Sequence, residues 1–191
     1  MHGRFAALAG AGLALTSGAA QAHLVNTGIG PVYDGIAHLL VSFEDLLPVI
    51  AMGLLAGLNG PSAGRRVLLT LSLAWLVGGV AGTLFSATPW ASGPATLSLL
   101  VLGALVAADF KFSPNAVALL ALALGLAHGW HNGAAMAVAG LPTTGLLGTA
   151  GAVFVVTVLV AATVVALRRP WTRVATRVAG SWIGASGLLL L

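Results

Sequence analysis

Long apolar runs separated by short polar or Pro/Gly-rich punctuation recur along the chain, at roughly 32–58, 66–86, 93–109, 114–141, 144–167 and 174–191. They approach or exceed the roughly 20 residues that an α-helix needs to cross a bilayer, and none alternates with the period of two of a membrane β-strand. The pattern predicts an all-α, polytopic membrane helix bundle of about six transmembrane helices. Ahead of them, Met1-His-Gly-Arg4 is a short positive region, Phe5 to Ala20 a modest apolar run and Ala20-Gln-Ala22 a small-x-small cleavage site. Residues 1–22 therefore read as a cleaved signal peptide and 23–191 as a single transmembrane domain. His23 becomes the first mature residue, its α-amine and imidazole able to close a chelate ring on one metal ion.

The first run needs a closer look, because as one helix it would be about 40 Å long against a hydrocarbon core of about 30 Å. Ser42-Phe-Glu-Asp45 has the form of a helix-starting capping box, and Pro48 removes a backbone donor soon after. Either one long tilted span or a short helix near 32–41 followed by a membrane helix from 43 satisfies the pattern.

Composition agrees with the membrane reading. Hydrophobic residues make up 59% of the 191, charged residues 6%, and the mean hydropathy is +1.04, well beyond what a water-soluble core requires. A formal charge of +4 would suggest nucleic acid in a soluble protein, but here the basic residues sit in loops and termini, so no nucleic-acid partner is expected. With the mature N-terminus outside, Arg65, Arg66, Lys111, Arg168, Arg169, Arg173 and Arg177 all fall on the cytoplasmic side, as the positive-inside rule demands. The expected location is the bacterial inner membrane, with the lipid bilayer as first partner. The absence of cysteine excludes disulfides, thiolate metal sites and a cysteine nucleophile.

Ionisable side chains in hydrocarbon are expensive, face the bundle interior and mark paths or sites. The first span carries Asp34, His38, Glu44 and Asp45; the fourth carries His128 and His131 with Asn132 beside them. At about 100° per residue, Asp34, His38 and Asp45 share a stripe roughly 40° wide on a continuous helix. Glu44 lies off that stripe and reads as a helix-start residue favoured by the dipole. His128 and Asn132 are about 40° apart, with His131 about 60° to the other side. Imidazoles and carboxylates without thiolates suit Ni²⁺, Co²⁺ or Zn²⁺ better than Cu⁺. A buried histidine bonded to a neighbouring carbonyl would leave the same trace, and Gly125, Gly129 and Gly133 have the spacing of close helix packing.

These motifs resemble the HupE/UreJ family, membrane proteins associated with hydrogenase and urease gene clusters and regarded as nickel or cobalt permeases. The matching features are His23 at the processed end, Gly35-Ile-Ala-His38 with Asp45-Leu-Leu47, and Ala127-His-Gly-Trp-His-Asn-Gly133. Where family members commonly have Asp-His-Leu this chain has Asp45-Leu46-Leu47, its second-motif histidines are three residues apart instead of four, and Ala134 and Ala135 replace a following acid. The resemblance implies uptake of Ni²⁺ or Co²⁺ as cargo, with no tightly bound cofactor. A non-transporting accessory subunit is the rival, and metalloenzyme maturation proteins or a second copy are the candidate partners.

Enzyme chemistry is not expected. No Gly-rich phosphate loop, zinc-protease His pair or serine nucleophile elbow is present. Gly35-Ile-Ala-His38 and Gly125-Leu-Ala-His128 are near-copies on spans entering from opposite sides, as in an inverted repeat of three spans plus three with a site between the halves.

Overall fold

The computed structural model describes residues 26–85, 93–167 and 169–190, so the signal-peptide region and His23 lie outside the described residues. Among the described residues there are seven α-helices and no strand: α1 Pro31–Val41, α2 Phe43–Leu58, α3 Pro61–Leu84, α4 Gly93–Ala107, α5 Pro114–Val138, α6 Gly145–Ala166 and α7 Pro170–Leu189. Proline opens α1, α3, α5 and α7, where its missing N–H would have lacked an intrahelical partner anyway. Gly60, with φ 95°, lets the chain reverse between α2 and α3 in two residues.

The first apolar run is broken at Ser42, where α1 and α2 meet at a bend of 76°. The capping box does not form: Ser42 makes no side-chain cap. Its backbone carbonyl accepts from the Asp45 and Leu46 amides instead. The common stripe for Asp34, His38 and Asp45 required a continuous helix, so the bend removes its basis.

By length and composition α3 and α6 suffice to cross a membrane, and α1–α2 makes a third span if counted as one. Large apolar side chains cover the perimeter: Leu69, Leu73 and Val77 on α3, Leu119 on α5, Leu159 on α6 and Trp182 on α7 are all more than half exposed. Polar residues such as His38, Asp45, His128, Asn132 and Thr157 are buried. Apolar outside with polar inside reverses the arrangement of a water-soluble protein and suits a lipid surround.

Glycines set the closest helix contacts. A Cβ on Gly125 would lie 2.7 Å from the Leu71 carbonyl oxygen, and one on Gly129 or Gly133 would collide with the carbonyls of Trp75 or Gly79. Gly78 and Gly82 press reciprocally on the Leu126 and Trp130 carbonyls. The four-residue glycine repeat is thus the α3–α5 seam. The acid-bearing arm packs elsewhere, α1 on α6 through Gly35 against Gly145, and α2 on α6 through Gly53 against Val160.

The near-copied motifs pack alike at this level. Gly35 sits on the Gly145 carbonyl and Thr149 amide, and Gly125 on the Leu71 carbonyl and Trp75 amide. Yet Gly145 opens its helix while Leu71 lies well inside α3, and the first span is bent where the fourth runs straight through.

At the opposite end from Asp34, loop and helix ends are latched together. Arg173 forks onto Asp109, while Lys111 bonds both Asp109 and the Leu58 carbonyl. Asn59 donates to the Phe110 carbonyl and accepts from the Phe112 amide. Partial burial works to raise the Asp109 pKa, but the bonds from Arg173 and Lys111 outweigh it and hold the carboxyl below the usual range.

Candidate functional site

Asp45 sits in the first turn of α2, where the helix dipole favours a carboxylate, and is only 6% exposed. Its Oδ1 is 2.8 Å from His128 Nδ1 and its Oδ2 accepts from Asn132 Nδ2 at 3.0 Å. The same Asn132 nitrogen donates to the His128 carbonyl at 2.9 Å. Neither an ionised carboxylate nor a carbonyl can donate, so the amide orientation is fixed and Asn132 Oδ1 faces outward from the pair. That oxygen lies 2.8 Å from His38 Nε2.

The far edge of each imidazole also has a neighbour. His128 Nε2 is 3.0 Å from Ser98 Oγ, which lies 2.7 Å from the Ala95 carbonyl. Ser42 Oγ is 3.4 Å from His38 Nδ1. One hydrogen-bonded chain therefore runs Ser42, His38, Asn132, Asp45, His128, Ser98, drawing on α1, α2, α4, α5 and the break between the first two. Trp75 of α3 covers the His128 ring at a centroid distance of 5.4 Å, placed there by the glycine seam beneath it.

Of the residues singled out in the sequence, His38, Asp45, His128 and Asn132 are thus brought together and buried. His131 is half-buried and has no hydrogen-bond partner among the described residues. Asp34 stands apart, its Oδ1 accepting from the Thr27 amide and hydroxyl, both at 2.6 Å. It does share an open-mouthed cavity with His38, bounded also by Met136, Pro142, Gly145 and Thr149. Glu44 is exposed, in keeping with a helix-start role. Ser98 and Trp75 were not singled out; a serine or tryptophan in an apolar run carries no sequence signal beyond a mild drop in hydropathy.

Among the described residues no group of three or more His, Asp or Glu side chains is spaced to grip an ion as it stands. The polar atoms are spent on one another, leaving Asp45 as a buried carboxylate between two imidazoles and an amide.

The family model described as HupE / UreJ protein matches residues 11–190, nearly the whole chain. The chain belongs to the HupE/UreJ family. No curated protein and no solved structure matches it. The HupE/UreJ match spans both polar motifs, the one around His38 and Asp45 and the one around His128 and Asn132. Family and apolar perimeter together make this a membrane protein of an accessory or transport family.

Proposed function

We propose that this HupE/UreJ protein is a secondary uptake transporter for a divalent transition-metal ion, Ni²⁺ or Co²⁺, with Zn²⁺ admitted by the same donors. The observation that carries this reading is the buried meeting of His38, Asp45, His128 and Asn132 from three helices. Burying a carboxylate costs several kcal/mol even when it is hydrogen-bonded, and helix packing alone is served by the glycine seams. A divalent ion entering an inside-negative cell gains roughly 4.6 kcal/mol per 100 mV, so no nucleotide chemistry is needed.

The ion enters past His23 and Asp34, crosses the shared cavity to His38, and reaches the Asp45–His128 pair. His131, one turn away from His128 on the half-buried side, is an auxiliary contact. While empty, the donors satisfy each other and avoid the cost of unpaired buried polar groups. In this orientation Asp34 faces outside and the Asp109 latch lies in the cytoplasm, as the positive-inside rule requires in the inner membrane.

A second reading is a non-transporting accessory subunit for a metalloenzyme system. The mutual satisfaction of the donors favours it, because a polar cluster holding helices together would look the same. Proteoliposomes containing this protein alone separate the two. Transport predicts accumulation of radiolabelled Ni²⁺ or Co²⁺ that grows with an inside-negative potential; accumulation no greater than in empty liposomes leaves the accessory reading.

A further inference from the structure

Resting on that uptake reading, we infer that the ion binds His128 through Nε2, on the α4 side, with Ser98 Oγ as its neighbouring oxygen ligand. Asp45 is then a positioning residue that holds the ring. Both oxygens of a carboxylate only accept, and Asp45 Oδ2 already accepts from Asn132, so with Asp45 as carboxylate the His128 nitrogen 2.8 Å from Oδ1 carries the proton. In neutral His128 the lone pair is therefore on Nε2. This is the arrangement in which a metal-binding imidazole gives its other N–H to a carboxylate that fixes tautomer and ring orientation.

Ser98 completes the geometry. Its Oγ lies 3.0 Å from His128 Nε2, and two cis ligands each about 2.1 Å from one ion are about 3.0 Å apart. A hydroxyl has one proton and two lone pairs. The Ala95 carbonyl, 2.7 Å from Ser98 Oγ, accepts a hydrogen bond from that O–H while a lone pair turns to the ion. Loading thus needs a hydroxyl rotation and no deprotonation. Trp75 closes one face of the His128 ring, which leaves its edge as the approach.

His38 obeys the same donor and acceptor constraints, and they keep the metal-binding atoms from converging. Asn132 Oδ1 only accepts, so His38 Nε2 carries the proton and Nδ1, beside Ser42 Oγ, has the lone pair. The two lone pairs lie at opposite ends of the hydrogen-bonded chain. They form two stations of one imidazole and one hydroxyl each, at which the ion keeps most of its water. Weak, multiple sites are what conduction needs, since an ion must leave as readily as it enters.

The chain has no cysteine, so one introduced thiol is a unique spectroscopic label. Full-length Ser98→Cys and Asp45→Cys, purified in detergent micelles, are titrated with Co²⁺ beside the wild type. The expected result is an intense near-ultraviolet thiolate-to-Co²⁺ charge-transfer band in Ser98→Cys and none in Asp45→Cys. A band in Asp45→Cys without one in Ser98→Cys puts the ion on the Nδ1 side and overturns the inference while leaving the uptake reading intact. Failure of the wild type to bind Co²⁺ in equilibrium dialysis defeats the uptake reading itself. Should Ser98→Cys not fold, Ser98→Ala decides: Co²⁺ binding about tenfold weaker is expected, and unchanged affinity overturns the inference.

Discussion

Asp45 and Asp109 each accept hydrogen bonds at both carboxylate oxygens, Asp45 from His128 and Asn132 in the interior, Asp109 from Arg173 and Lys111 at the basic end. The partners differ in kind. Arginine and lysine are permanent cations, so the Asp109 charge is cancelled and the network serves as a latch between the α4–α5 loop and α7. Imidazole and amide carry no permanent charge: the amide, and the imidazole in its neutral form, orient Asp45 without neutralising it, and a residual negative charge in a low-dielectric interior attracts an incoming cation strongly. A carboxylate that must orient a metal-binding imidazole and keep its charge to draw in a divalent ion cannot also be paired with arginine.

That comparison can be broken first at Asp45. Asp45→Asn keeps the volume but loses both the charge and the strong acceptor for His128 Nδ1, and metal affinity is expected to fall by about 10–100-fold, measured by titration with folded protein held equal. Unchanged affinity would place the ion elsewhere. Next comes the seam that positions the site: Gly129→Val forces a side chain into the Trp75 backbone. Overpacking of this kind costs about 1–3 kcal/mol, read as a lower yield and lower unfolding temperature in detergent. A wild-type melting curve would show that α3 and α5 are not held this close.

His131→Ala sharpens the picture with a smaller effect. Folded protein should be unchanged, and uptake should stay nearer to wild type than that of His128→Ala. The smallest effect is at the latch, where Asp109→Asn should cost about 1 kcal/mol or less, because the network is partly exposed and screened by salt. Its sign with pH follows from the lowered carboxyl pKa. The stabilisation is complete above the ordinary carboxylate range and is lost as pH falls through the lower folded value. Wild type and Asp109→Asn should therefore melt apart at neutral pH and converge in strong acid; a gap that persists there would contradict the assignment.

The helices were legible because apolar runs and punctuation record them directly: the run ending at Leu58 and the proline at 61 mark the α2–α3 turn, while a first run too long for the bilayer left a break near Ser42 and one tilted span equally open, and the bend of 76° decides for the break. His128 and Asn132 were legible as one face because both lie within the single unbroken helix α5. The shared stripe of Asp34 with Asp45 was not, since a bend of 76° discards helical phase. Nor could the sequence say that Gly125, Gly129 and Gly133 meet α3: the spacing announces close packing, while the partner depends on how all the helices assemble. Ser98 stayed hidden because a hydroxyl can bond its own helix at little cost, so its presence in an apolar run implies no partner.

The contrast between the two carboxylates is tested most directly by uptake in proteoliposomes carrying wild type, Asp45→Asn or Asp109→Asn, each normalised to folded protein, under an imposed inside-negative potential. Ni²⁺ or Co²⁺ accumulation should be present in wild type, retained in Asp109→Asn and lost in Asp45→Asn. Equal accumulation in all three, or equal loss in both variants, would contradict the claim that the interior carboxylate held by imidazole and amide serves the ion and the one paired with arginine and lysine serves the fold.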